Sequence, residues 1–217
     1  YRSSRGLGDV YKRQDETDTV PTESLIDSRF QECYYENDLA KNKADSTLIQ
    51  VFGEKLFNRY IKLNLDESTM NCQVDDAIEL VPFGDSSYCV PNSYDLRYQI
   101  NEKGNELFTF RLVAGSDMQF EPVSTIVSDQ LKGYQQLLSG KFAINYAQAK
   151  SIALEEGVDL KESYLELIRN AEDSLTGSTT FSWEAELEYD HNSVLLLHID
   201  AMTGETGTVT YTIEHIE

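Results

Sequence analysis

Between Ser46 and Leu63 the apolar residues Leu48, Ile49, Val51, Phe52, Leu56, Phe57, Tyr60, Ile61 and Leu63 recur three and four positions apart. That period predicts an amphipathic helix whose wide apolar side lies on a sheet. A short helix is also read over Leu25 to Tyr35. From Asn64 to Asn92 the pattern breaks at Asp66, Glu67, Asp75, Asp76, Pro82, Gly84, Asp85 and Pro91, and a solvated acidic loop is expected.

Strict alternation then begins. Tyr94, Leu96, Tyr98 and Ile100 alternate with polar neighbours, a turn containing Gly104 follows, and Phe108, Phe110 and Leu112 alternate after it. This predicts an antiparallel hairpin. A short strand is expected over Met118 to Glu121, stopped by Pro122. Residues 123 to 139 return to a helical period, ended by Ser139 and Gly140, the best candidate domain boundary.

In the remainder, Ile144 to Leu154 reads as a helix rich in small residues, and Leu160 to Leu175 as a second amphipathic helix. Trp183, Ala185, Leu187 and Tyr189 alternate with Glu184, Glu186 and Glu188, which predicts an edge-like strand with one acidic face. A turn over Asp190 to Ser193 leads to a strand over Val194 to Asp200. Thr203, Gly204 and Glu205 turn the chain again, into a last strand over Thr208 to Ile213. The fold class is therefore α+β, with antiparallel sheets each packed by helices.

Composition narrows the function classes. The 217 residues carry 18 Lys plus Arg against 38 Asp plus Glu, a formal charge of −20. Such a chain is repelled by nucleic acid and anionic lipid. No run of apolar residues is long enough to cross a membrane as a helix. The stretch YRSSRGLGDVYKRQ, Tyr1 to Gln14, is a basic island that resembles translated adapter sequence found at the ends of metagenomic open reading frames. On that reading the true N-terminus and any export signal precede what is given; the alternative is a natural flexible basic tail. The expected organisation is a leader over 1–24, an N-terminal α+β domain over 25–139 and a second domain over 140–217.

Candidate chemistry is sparse. Cys33, Cys72 and Cys89 are odd in number, and Cys72 and Cys89 are close enough to close a loop in an oxidising compartment. His191, His198 and His215 lie far from every Cys, so a Cys and His metal cluster has no support, and no metal or cofactor is expected. No Asp-x-Asp-x-Asp-Gly calcium loop, phosphate-binding glycine loop or His-Glu-x-x-His motif is present. His198 and Asp200 share a strand face, and a four-residue turn would set Ala185 opposite His198 and Trp183 opposite Asp200. No nucleophile accompanies them, and no catalytic residues are assigned. Glu184, Glu186 and Glu188 form a same-face row. It serves to solubilise the sheet or guard its edge, or to attract a basic partner.

The helix NYAQAKSIALEEG, Asn145 to Gly157, and the hairpin WEAELEYDHNSVLLLHIDAMTGE, Trp183 to Glu205, resemble the PepSY domain family over about residues 144–205. The most specific match is DAMTG, Asp200 to Gly204, which is similar to the family's Asp-Ala-x-Thr-Gly turn. Asp200 and Thr203 suit the capping of turn amides, and Gly204 suits a positive φ. The predicted helix over Asp159 to Leu175 departs from the family, which has a linker and strand there. The resemblance implies a cystatin-like, extracytoplasmic bacterial module, periplasmic, surface-held or secreted, that binds protein or regulates a peptidase without catalysis. The N-terminal half has the same helix-then-hairpin order and by that analogy resembles a divergent relative of the same family. A structural envelope spacer and a carboxylate-dependent hydrolase are the alternatives.

Overall fold

The computed structural model describes residues 28–74, 77–84, 90–161, 163–170, 180–189 and 192–212, with side chains from Asn37 onward except Val74 and Val90. It is a mixed α+β fold in which two antiparallel sheets pack against helices.

Helix α1 (Ser28–Phe52) buries Ala40, Ala44, Leu48 and Phe52, a stripe at every fourth residue. The continuous helix expected over 46–63 is not formed. Gly53, at φ 77°, ends α1, and a short α2 (Glu54–Tyr60) follows. Ile61 and Leu63 belong instead to strand β1 (Ile61–Val74), opposite Ile100 and Tyr98. A three-to-four period and a two-residue period coincide over Ile61, Leu63 and Leu65. Pairing with a neighbouring strand decides between them.

In place of the expected acidic loop, residues 64–74 and 77–82 are strand, β1 and β2 (Ala77–Pro82), joined antiparallel from Thr69↔Pro82 to Val74↔Ala77, while Asp75, Asp76 and Asp85 lie outside the described residues. Met70 and Cys72 point inward. The acidic pair Asp66 and Glu67 sits where the register with the next strand is irregular, between Asn64 and Thr69. There buried Ser68 replaces the ladder: its hydroxyl donates to Asn64 O at 2.6 Å and accepts from Arg97 N at 2.9 Å. Charge density in the sequence masked a strand whose bulge holds the charges outside.

The predicted hairpin is present as β3 (Val90–Glu102) and β4 (Asn105–Gly115). Its two-residue turn, Lys103 and Gly104, has both φ values positive, 51° and 86°. That geometry suits the right-handed twist of the strands. Strand β5 is only Glu121–Pro122: Met118 to Phe120 are not strand, and Pro122 pairs with Leu112 rather than stopping the strand. It completes the sheet order β2-β1-β3-β4-β5. Helix α3 (Thr125–Leu138) starts at Ser124, whose side chain accepts from Val127 N.

Helix α4 (Tyr146–Glu155) opens on a reciprocal capping box between Asn145 and Gln148. The second amphipathic helix expected over 160–175 is not formed. Residues 165 to 169 are strand β6 (Leu165–Arg169), while 171–179 lie outside the described residues. Leu165 and Leu167 alternate with Glu166 and Ile168, a period of two inside an apparent period of three and four. The consequence reaches β7 (Phe181–Tyr189): it is not an edge strand, because β6 covers it on one side and β8 (Ser193–Asp200) on the other. Strand β9 (Thr206–Thr212) is the exposed edge of this four-stranded meander.

A single hydrophobic cluster joins both sheets, from Ala40 on α1 to Ala201 after β8. Phe108 and Tyr134 stack at its centre, 5.0 Å between ring centroids. Helix α3 reaches both halves: a side chain at Gly133 would place its Cβ 2.5 Å from Phe181 Cε1, so only glycine permits this approach.

Candidate functional site

The meander sets polar residues of three strands side by side. Glu166 on β6 lies opposite Glu184 on β7, and Glu184 lies opposite His198 on β8. The expected partners of His198 and Asp200 are thus corrected by one residue. A bulge between Glu186 and Glu188 shifts the register, so Glu184 faces His198 and Ser182 faces Asp200. His198 Nε2 is 3.1 Å from Glu184 Oε2 but out of line for a hydrogen bond. The Asp200 carboxylate is committed elsewhere, so the imidazole has Glu184, not Asp200, as its neighbour.

The three glutamates of β7 do not stand equally. Glu184 keeps only 14% of its side chain exposed, Glu186 is half-buried and Glu188 is exposed. Past the bulge Glu188 pairs with Leu195, on the parity of Leu197 rather than of Leu196 and His198. The row is therefore broken, and its first member is largely covered. Burial first and then the charge of Glu184 push the Glu166 carboxyl above its ordinary value, although Gln130 on α3 donates to it. The Tyr164 hydroxyl is also pushed up, by burial and then by Glu184, Glu186 and Glu166.

At the turn after β8, Asp200 Oδ1 accepts from Met202 N at 2.8 Å, Thr203 N at 2.7 Å and Thr203 Oγ1 at 3.1 Å. Thr203 Oγ1 accepts from Glu205 N at 3.2 Å, and Gly204 takes φ 78°. The turn is seated on the approach to α4. Ile144 N donates to Ala201 O, and Trp183 Nε1 donates to Ile144 O. A Cβ on Gly204 would come within 3.0 Å of Ile144 Cδ1.

Between β4 and β6 lies a cleft of about 390 Å³. Its walls include Glu106, Thr109, Ser163, Leu165 and Glu166, and Tyr146 and Lys150 of α4 also line it. At one place the two strands are bridged by buried Tyr134, whose hydroxyl donates to Leu107 O at 3.0 Å and accepts from Leu167 N at 3.2 Å. Burial holds that hydroxyl far above its usual pKa. The helical period over 123 to 139 accounts for Tyr134 as an apolar position but not for its bridging hydroxyl. The unexplained mid-helix glycine at 133 was the signal of close packing there. Tyr189 and Tyr211, by contrast, are exposed.

Cys72 is disulfide-bonded, while Cys89, His191 and His215 lie outside the described residues, as does the leader over 1–24. Among the described residues no group of three His, Cys, Asp or Glu is placed to hold a metal, and no helix is long and apolar enough to cross a membrane. No family model, curated protein or solved structure matches the chain.

Proposed function

We propose that the chain is a non-catalytic protein-binding or peptidase-regulating module of an extracytoplasmic bacterial protein, with a PepSY-like unit over about 144–205. The observation that carries this reading is the seating of the DAMTG turn. Asp200 and Thr203 close it, Gly204 lies against Ile144, and Ile144 is bonded both to Ala201 and to Trp183. A motif recognised in sequence thus acquires a physical role: it locks the start of α4 to the middle of the sheet. Residues 165 to 169 are a strand and not the helix expected over Asp159 to Leu175, which supports the resemblance at the place where the sequence departed from it. The disulfide at Cys72 agrees with an oxidising compartment.

One observation favours the spacer alternative. The two sheets share a core through α3, which suits a rigid strut better than two independent modules. The hydrolase alternative would rest on Glu166 and Glu184, yet only Glu166 of the two lines the cleft.

The test is affinity capture with the whole chain from an extracytoplasmic extract at low and moderate salt, followed by mass spectrometry and assay of any captured peptidase. A specific partner whose peptidase activity changes with added chain supports the module. Capture of nothing above a scrambled acidic control at either salt leaves the strut.

A further inference from the structure

The Tyr134 hydroxyl does for β4 and β6 what an intervening strand would do, donating to a carbonyl on one and accepting an N–H from the other. Past it, no backbone hydrogen bond joins the two strands among the described residues. Their alternation nevertheless leaves main-chain groups aimed into the gap. Arg111 O on β4 accepts from Val123 N on the side away from β3, so Thr109, two residues earlier, turns the same way. Leu167 N points away from β7 toward Tyr134, so Leu165, two residues earlier, does likewise. Thr109 and Leu165 both line the cleft. Ser163 bounds it at one end, where its hydroxyl accepts from Glu186 N and donates to Glu186 O and so ends the β6 side of the sheet.

Charge says what kind of chain would fit. Glu106 and Glu166 line the cleft against one lysine, Lys150, in a protein of net charge −20. Glu166 already faces Glu184 across the strands, a like-charge pair that a cation arriving from outside would relieve. Phe108, Leu160 and Tyr146 add apolar lining to the same cleft.

We infer that this cleft takes an extended peptide of alternating basic and apolar residues, its main chain hydrogen-bonded to Thr109 on β4 and Leu165 on β6, its basic side chains against Glu106 and Glu166. The mode is strand addition, in which backbone bonds give affinity and alternate side chains give specificity. The inference rests on the protein-binding reading and names its site and the chemistry of its partner.

The probe is a fluorescein-labelled, amidated heptapeptide of alternating Lys and Val, titrated with the whole chain at moderate salt and read by anisotropy. Saturable binding is expected, weakened about tenfold by N-methylation of alternate backbone amides, as lost strand hydrogen bonds require. Glu106→Gln with Glu166→Gln should weaken it about fivefold, since charge-assisted contacts are removed. Glu54→Gln with Glu205→Gln, which removes the same charge elsewhere, should leave it unchanged. Circular dichroism verifies that each variant is folded, and amide exchange at Thr109 and Leu165 should slow on binding. Equal weakening by both variant pairs, or indifference to N-methylation, would mean general attraction to an acidic chain and would overturn the cleft. No binding overturns it as well. If affinity capture then still retains a partner, and Glu166→Gln does not release it, the protein-binding reading survives with its site elsewhere.

Discussion

The two sheets solve the problem of like charges on neighbouring strands in opposite ways. On the first sheet Arg97 and Arg111 face each other across β3 and β4, and each has its own carboxylate. Arg97 pairs with Glu67 at 3.0 Å, and Arg111 forms a two-armed pair with Asp95. The Asp95 bond holds the Arg111 guanidinium above its usual pKa. On the second sheet Glu166 faces Glu184, and the groups beside them are an amide, Gln130, and an imidazole, His198. Arg169, on the same strand as Glu166, bonds Asp129 of α3 at 2.5 Å, and Lys132 first and then Arg169 hold that carboxyl below its usual value. A surface balanced by permanent charge is complete in itself. One balanced by titratable and neutral groups has room for a cation from elsewhere, which is why the cleft beside Glu166 is the more informative face.

The comparison holds only if the sheets are one cooperative body, and Tyr134→Phe attacks that point most strongly. It strips a buried carbonyl on β4 and a buried N–H on β6 of their common partner, so a loss of about 3 kcal/mol is expected. Trp183, the single tryptophan, reports the second sheet alone. In urea its fluorescence should follow far-ultraviolet circular dichroism in the native chain and part from it in the variant. Coincident curves in both would mean that other contacts couple the sheets.

Gly133→Ala tests the same junction by steric means. The added Cβ meets Phe181 and Leu167 in a filled core, and overpacking there should cost about 2 kcal/mol. A gain in stability, as helix propensity alone would give, would show that α3 can withdraw freely from the second sheet.

Asp200→Ala confines the damage to the second sheet. Three exposed bonds within one turn are lost, and about 1 kcal/mol is expected from thermal melts. Amide exchange should quicken at Met202 and Thr203 but not on the first sheet.

The smallest effect carries the sign of the charge contrast. Because burial and Glu184 raise the Glu166 carboxyl in the folded chain, the folded state holds that proton more tightly than the unfolded one. Its contribution is whole below the ordinary glutamate value and is lost as pH rises through the raised one. Glu166→Gln, permanently neutral, should therefore stabilise the chain at pH 8 by less than about 1 kcal/mol and bring no gain at pH 3. Asp95→Asn on the first sheet should destabilise at pH 8, by about 0.5 kcal/mol. The same sign for both variants at pH 8 would erase the contrast.

Legibility in the sequence followed the kind of signal. The hairpin over Tyr94 to Val113, helix α3 and helix α4 were readable because each has one period and ordinary caps. Strand β6 was hidden because apolar residues at 160, 164, 167, 168, 171 and 175 satisfy a helical period, while Leu165 and Leu167 satisfy the strand period that pairing selects. Strand β1 was hidden by Asp66 and Glu67, which the fold places at an irregularity of its register. Of the candidate site, Glu184, Glu186 and Glu188 were visible as a row. Their unequal exposure follows from a bulge and from a covering strand that no local pattern announces.

By itself the sequence determined the α+β class, the hairpin with its turn around Gly104, and the residues able to close the turn from Asp200 to Gly204. These depend on neighbours within a few positions, where period, side-chain shape and glycine's tolerance of positive φ act directly. Only the tertiary structure decided that β7 is interior, that Glu184 meets Glu166 and His198, and that Tyr134 bridges two sheets across a cleft. Those facts join residues tens of positions apart, and their energy comes from register, burial and shared hydrogen bonds, which exist only once distant strands have met.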